Sequence, residues 1–483
     1  MSKARYEELM RQSERHFARR QFREAGGIAE QIIAQKATYA PALAMMARIG
    51  FALRQFDQAA PFAQRAVTAE RRDPFYHVLY GQTLLEQGHT RKAIAAFEKA
   101  LRLRPGYEEA TAGLAEGLER NGKGARAREI LAPAIRAGSA SPRMALAYAR
   151  SARAAGDHEA VTSTVNAQLD RTDLPDDARR SLLLVLGRSL DDQGRHDDAF
   201  EAFRAANGTA PPAYDHAAEV ERFAEIRTAF ARSATAGLPR AAAGGETAVF
   251  VVGMPRSGST LIEQIIHAHP QGAGAGEPRH LSQITMRLGP AIGSARSYPA
   301  CVSDLTPAHV KGVAEEYLRR LRTADARATR IVDKALENFL FLGLVALLLP
   351  EAKVIHARRA PMDLCFSCYM HDLRHPWAFD LGTLGRYHRL YADLMQFWHT
   401  EIDLPILDVD YESLVADQAG ESRRIIDFVG LPWDDACLRY FEAKRQVATI
   451  SYDQVRKPIY QNAAGRFRRY EGHLGALREA LGE

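Results

Sequence analysis

Cysteine is scarce, with four in 483 residues (Cys301, Cys365, Cys368 and Cys437). That is too few to staple so long a chain, and the expectation is a fold held by packing in a reducing compartment. Long apolar runs are missing as well. The longest, residues 339–350, falls well short of the roughly 20 residues of a membrane span and reads as a buried helix. Neither sign of charge dominates: Lys and Arg outnumber Asp and Glu by 64 to 59, a formal +5. This gives no footing for a nucleic-acid partner but suits one anion-binding pocket. The first residues carry neither an apolar core segment nor a cleavage site of small residues, so a cytoplasmic chain is expected. With 46% hydrophobic and 25% charged residues the composition is ordinary for soluble domains, and the length predicts two or three of them.

What is present first is a period. Tyr80-Gly81, Gly88, Ala93, Phe97, Ala100 and Pro105 recur 34 residues earlier as Ala47, Ala59, Ala63 and Ala66. They recur 34 residues later as Ala115, Gly122, Ala127, Leu131 and Ala134. A fainter unit holds Ala25 and Ala29, a degenerate one spans 142–156, and the last has Gly187, Gly194, Ala199, Phe203, Ala206 and Pro211. Small residues at these offsets are where paired helices touch, and such pairs bury their faces only by stacking on neighbours. About six units over residues 1–213 predict an all-α, right-handed tetratricopeptide-type solenoid; an unrelated alanine-rich bundle is the alternative. Its groove suits a peptide or protein partner, or the array joins two copies of the chain as a homodimer. Residues 214–245 are expected to link the domains, with a helix over 217–235 and then a Gly, Pro and Ala stretch.

From residue 246 the pattern changes. Residues 247–252 are a continuous apolar, β-branched run, as in a buried parallel strand. Gly253 to Thr260 reads GMPRSGST, followed by an apolar helical segment over 261–268. Strand, glycine-bounded loop and helix N-terminus together cradle phosphate. Nucleotide P-loops place Lys after the second Gly, whereas here Ser259 stands there and the cation is Arg256 inside the loop. A P-loop nucleotide kinase is therefore the weaker alternative. A second unit repeats the theme: a strand over 353–357, then Arg358-Arg359, Pro361 at a helix start, and Ser367 within that helix. An arginine and a serine so placed suit a second phosphate, although arginine-rich turns are commonly solvated.

PRSGST after VFVVGM, KVIHARRAPMDLCFSCY, VDYESLV and SYDQVRKPIY…GRFRRYE together resemble the sulfotransferase superfamily. Within it the chain is most similar to bacterial tetratricopeptide-repeat sulfotransferases and tyrosylprotein sulfotransferases, over about residues 247–472. The resemblance implies an α/β P-loop-like domain with a parallel sheet over 246–483, using 3′-phosphoadenosine-5′-phosphosulfate (PAPS) as donor and a hydroxyl group as acceptor. It implies that Arg256, Ser257, Gly258, Ser259 and Thr260 hold the 5′-phosphosulfate, and Arg359 and Ser367 the 3′-phosphate. Tyr411 would lie near the nucleotide, residues 451–460 would wrap over it, and Arg466 would supply a further cation. Glu277 matches the general base, Lys334 the lysine beside the sulfate and Ser451 the catalytic serine. Departures occur at Ala335-Leu336, Ala360, His371 and Phe467, where the family has other residues, and they bear on donor contacts and on the pocket near Lys334.

Sulfuryl transfer is an in-line displacement whose charge spreads over oxygens, so cations and donors such as Arg256, Lys334 and Ser451 suit it. A hydroxyl acceptor needs a proton acceptor such as Glu277. Protein cations stand in for a metal, so no Mg²⁺ is expected. Taken singly, Glu277, Lys334 and Ser451 read more readily as solvated side chains than as catalytic ones, and the other reading of the whole is an inactive solenoid scaffold. His267/His269 and His371/His375 lack ligand-spaced partners and read as helix-end histidines rather than a metal site. Cys365 and Cys368 read as packing.

Overall fold

Twelve helices run through the first unit, Met1–Thr209, of the computed structural model, which describes residues 3–242, 244–442 and 465–483. They pack as six consecutive pairs. The first three are Lys3–Ala18 with Phe22–Gln35, Ala40–Ala52 with Phe56–Ala69, and Pro74–Glu86 with Thr90–Leu103. The others are Glu108–Arg120 with Gly124–Arg136, Pro142–Ala154 with His158–Leu169, and Asp176–Asp192 with His196–Gly208.

The packing explains the period. Phe97 is fully buried, and a Cβ on Gly81 or Gly113 would lie 2.8 or 2.4 Å from its ring. Gly187 and Phe203 repeat the arrangement, at 2.5 Å. The ring fills a space that only a missing side chain leaves open, so glycine is required where the helices meet it. Ion pairs follow the same period: Glu14 meets Arg48 at 2.5 Å and Glu86 meets Arg120 at 3.1 Å, each 34 residues apart. Glu116 lies between Arg120 and Arg143, at 2.7 and 2.6 Å. Burial alone would raise its carboxyl, but the two guanidiniums hold it down at about 2.

The turn inside each pair needs a left-handed residue. Gly88, Gly122, Gly156 and Gly194 supply it with φ of 75–79°. In the first two pairs the same place is taken by Arg20 (φ 59°) and Arg54 (φ 56°), a conformation that costs a side-chain-bearing residue roughly 1–2 kcal/mol.

The second unit, Ala210–Glu483, holds a five-stranded parallel sheet: β1 (Ala248–Gly253), β2 (Gly272–Gly276), β3 (Arg330–Asp333), β4 (Lys353–Arg358) and β5 (Ile406–Asp410). Their spatial order is β2-β3-β1-β4-β5. Every residue of β1 is buried, as the central strand of such a sheet should be. The helix Ser259–Ala268 covers one face, with Ile262, Ile265 and Ile266 packed on Val249, Val251, Val332 and Ile355. The apolar run at 339–350 forms a 3₁₀ turn, Leu336–Phe341, and a short buried helix, Leu342–Leu348. No helix among the described residues is long and apolar enough to cross a membrane.

The helix expected over 217–235 forms as His216–Phe230, and extended Ala231 separates it from Arg232–Thr235. It is an integral part of the second unit. Phe223 packs on Phe339 and Tyr387, Phe230 on Trp398, and a Cβ on Gly343 would lie 2.3 Å from the Phe230 ring.

Replacing Arg20 or Arg54 by Gly removes left-handed strain but adds freedom to the unfolded chain, which returns roughly 0.4–1 kcal/mol. The net expectation is a stabilisation of about 0.5–1 kcal/mol. Slower hydrogen exchange in the two helices flanking each turn checks it, and faster exchange contradicts it.

Candidate active site

Each strand ends one residue or one short loop before a candidate side chain. After β1 come Met254 to Gly258, after β2 Glu277, after β3 Lys334, after β4 Arg359 and after β5 Tyr411. Parallel pairing brings these five positions to one edge, the carboxyl edge, where open α/β sheets bind ligands. The connections from β1 and β4, which are neighbours, lead toward opposite sides of the sheet. The switch point between them is where such sheets open a ligand crevice.

The loop after β1 is shaped by its backbone. Arg256 takes a left-handed φ of 72° and Gly258 one of 92°, directly before the helix Ser259–Ala268. Such alternation turns successive N–H groups toward one point, next to the positive end of a helix. A Cβ on Gly258 would lie 2.6 Å from Tyr411 Cδ2, so a side chain there would displace that ring. Ser257, Ser259 and Thr260 are buried, and Ser257 Oγ has no hydrogen-bond partner among the described residues. An orphaned hydroxyl inside a phosphate-shaped loop fits an anion, because a buried hydroxyl left unpaired is costly.

Across the crevice, the Arg256 guanidinium donates to Ser367 Oγ at 3.3 Å. Arg359 donates to the Arg256 carbonyl at 3.2 Å and lies 5.0 Å from the centre of the Tyr411 ring. The two groups of residues expected at the two phosphates thus adjoin one another. Cys368 Sγ, taken as a packing residue, donates to the Pro255 carbonyl at 3.2 Å. Burial pushes its thiol up to about 12, so it stays protonated and unreactive.

On the other flank of the loop, Lys334 Nζ meets Glu277 Oε1 at 2.5 Å. The lysine side chain is 1% exposed and the glutamate 51%. The local backbone enforces the pairing. Gly276 donates its N–H to Glu263 Oε1 at 2.8 Å and accepts from Lys334 N at 2.9 Å. An irregularity in β2 between Gly274 and Gly276 sets Gly276 opposite Asp333, so the residues that follow, Glu277 and Lys334, face each other.

Three carboxylates here escaped the sequence reading. Glu263 is the buried acceptor just described. Asp363 accepts from the N–H groups of Gly465 and Phe467, at 2.6 and 3.3 Å. It thereby ties the turn carrying Arg466 to the start of the helix Pro361–Tyr369, which bears Ser367. Asp333 is fully buried and accepts from Tyr317, Asn338 and the Ala335 N–H, at 2.8, 2.9 and 3.0 Å. Ser451 and residues 451–460 lie outside the described residues. The helix-end histidines bond to backbone: His269 Nε2 to the Pro432 carbonyl at 2.7 Å, and His267 Nδ1 to the Gly274 N–H at 3.2 Å.

Burial pushes the Asp333 carboxyl up to about 7 from an ordinary 3.8, against the three hydrogen bonds that lower it. The folded form therefore holds a proton that the unfolded chain releases. Stability is fully present below about pH 4 and is lost as pH rises through about 7, with a slope of at most about 1.4 kcal/mol per pH unit. Asp333→Asn keeps the acceptor and should flatten that slope. Urea unfolding of both proteins across this range checks it, and an unchanged slope assigns the dependence to another group.

Comparison with known proteins gives two family matches. The sulfotransferase family model matches residues 248–435, and a tetratricopeptide-repeat model matches residues 84–151. An uncharacterised protein of Aquifex aeolicus is 33% identical over 321 residues, covering 64% of this chain and 42% of its own length. Protein-tyrosine sulfotransferase A of Caenorhabditis elegans is 25% identical over 238 residues, covering 44% of this chain and 59% of that protein. The chain thus spans about half the length of these relatives. Among solved structures, the sulfotransferase domain of the Synechococcus PCC 7002 olefin synthase is 23% identical, with a TM-score of 0.36 over 48% of this chain and 90% of that one.

Proposed function

We propose that this chain, which carries a sulfotransferase-family domain behind tetratricopeptide repeats, moves a sulfuryl group from PAPS to a hydroxyl acceptor. The observation that carries this reading is the meeting, at one sheet edge, of a phosphate-shaped loop with the Lys334–Glu277 pair. PAPS brings the sulfuryl group and leaves as 3′,5′-adenosine bisphosphate.

The loop N–H groups, Ser257, Ser259, Thr260 and Arg256 hold the 5′ end of the donor. Arg359, Ser367 and Arg466 take the 3′-phosphate side, with Tyr411 beside the nucleotide. The buried ammonium of Lys334 answers charge growing on the sulfuryl and bridging oxygens, and Ser451 supplies a further donor. The acceptor oxygen bonds to sulfur, the bond from sulfur to the nucleotide's bridging oxygen breaks, and the hydroxyl proton passes to Glu277. Lys334 and Glu277 act as a pair: as the lysine turns toward the sulfuryl oxygens, the carboxylate becomes available to the acceptor. No metal enters this scheme. Protein tyrosine, a glycan and a small hydroxylated molecule all satisfy it, and the solenoid is the natural place to hold a peptide or protein partner.

Glu277→Gln keeps the shape but cannot take the proton, so turnover should fall by roughly 10²–10⁴. It also leaves buried Lys334 without its counter-charge, so PAPS affinity and thermal unfolding are followed alongside. Donor binding is expected to persist. Turnover within about twofold of the parent would mark Glu277 as an ordinary surface carboxylate.

A further inference from the structure

A second group of side chains, which the donor site does not use, gathers at the β4–β5 edge of the sheet. His356 on β4 and Asp408 on β5 are register partners, and His356 Nδ1 lies 2.8 Å from Asp408 Oδ1. His399, on the helix Leu381–Glu401, brings Nε2 to 3.3 Å from the same oxygen. One donor atom from each residue lies within 4.8 Å of the other two.

We infer that His356, His399 and Asp408 form a binding site for a single divalent transition-metal ion, zinc by preference, that pins edge strand β5 and β4 to the helix Leu381–Glu401. Ligands about 2.0–2.2 Å from a tetrahedral zinc stand roughly 3.3 Å apart, and the observed separations from Asp408 Oδ1 are 2.8 and 3.3 Å. Two imidazoles and one carboxylate select zinc and its transition-series neighbours over Mg²⁺ or Ca²⁺, which favour all-oxygen sets.

The supporting residues are those a metal site needs. His356 Nε2 is bonded to the Tyr391 hydroxyl, which fixes the ring and leaves Nδ1 for the ion. Tyr391 also makes a backbone hydrogen bond to Met254. Arg358 Nη1 donates to Asp408 Oδ2 at 3.0 Å, so Oδ1 is the oxygen turned toward the imidazoles. Arg358 is a cation that opposes a metal, and a second, Arg424, donates to the Asp408 carbonyl at 3.0 Å. The Arg358 charge is answered by a two-point pair with Asp410, at 2.8 Å in both contacts. His356 is buried while His399 and Asp408 are each 30% exposed, so the site has a buried anchor and an open side for entry, with room for a water as fourth ligand.

The test uses the tag-free full-length chain, loaded with excess zinc, dialysed and assayed for metal, with Co²⁺ as an optical probe. One zinc per chain is expected, with the visible absorption of tetrahedral cobalt on substitution. His399→Ala removes a partly exposed ligand without emptying the core and should weaken binding at least ~10-fold, as should Asp408→Asn. Circular dichroism of the variants establishes that they fold. No retained metal, or equal retention by a folded His399→Ala protein, overturns the inference. Binding of 3′,5′-adenosine bisphosphate by the same variant reports separately on the donor site.

Discussion

The parallel pairing of β4 and β3 with the two edges of β1 is the constraint on which the candidate site rests. Parallel strands end together, so the first residue after each strand is delivered to the same edge whatever lies between them in sequence. Register then decides which side chains meet. Val252 opposite His356 and Gly253 opposite Ala357 bring Arg359 to the carbonyl of Arg256. Gly276 opposite Asp333 brings Glu277 to Lys334. A slip of one residue in either ladder would turn these side chains to the other face, and the site would come apart without any change in its composition.

Electrostatics sharpens the same geometry. Lys334 is buried with its ammonium on a half-exposed glutamate, so removing the partner costs more than the pair itself contributes. Asp333, next in the chain, keeps its proton up to about pH 7 because burial outweighs its three hydrogen bonds. A neutral acid at Asp333 leaves Glu277 as the carboxylate that answers the Lys334 charge. That neutral state rests on burial, against which the hydrogen bonds from Tyr317, Asn338 and the Ala335 N–H work.

Much of this was legible in the sequence. The repeat array showed itself because one wedge, Phe97 between glycines, recurs as Phe203, and six helix pairs match the six units read from the period. The first unit was faint, and there Arg20 occupies the turn position that glycine marks in the later units. The loop after β1 and the segment after β4 stood out because strand, turn and helix signals adjoin. By contrast β2, the sequence Gly-Ala-Gly-Ala-Gly, has no strand character of its own; it is extended because β3 pairs with it. The ties of Asp363 to residue 465 and of His356 to Asp408 join positions 102 and 52 residues apart. No periodicity carries such contacts. The helix His216–Phe230 was visible as a helix, but an apolar stripe does not say which unit it will cover.

The central claim is that the crevice between β1 and β4 recognises both ends of a 3′-phosphorylated nucleotide. Calorimetric titration of the full-length chain, without added metal, with 3′,5′-adenosine bisphosphate and with 5′-AMP tests it most directly. The bisphosphate should bind at one site per chain, tighter by about 10- to 100-fold, as expected for charge-assisted contacts to the additional phosphate. Equal affinity for the two nucleotides, or no heat with either, would contradict the account.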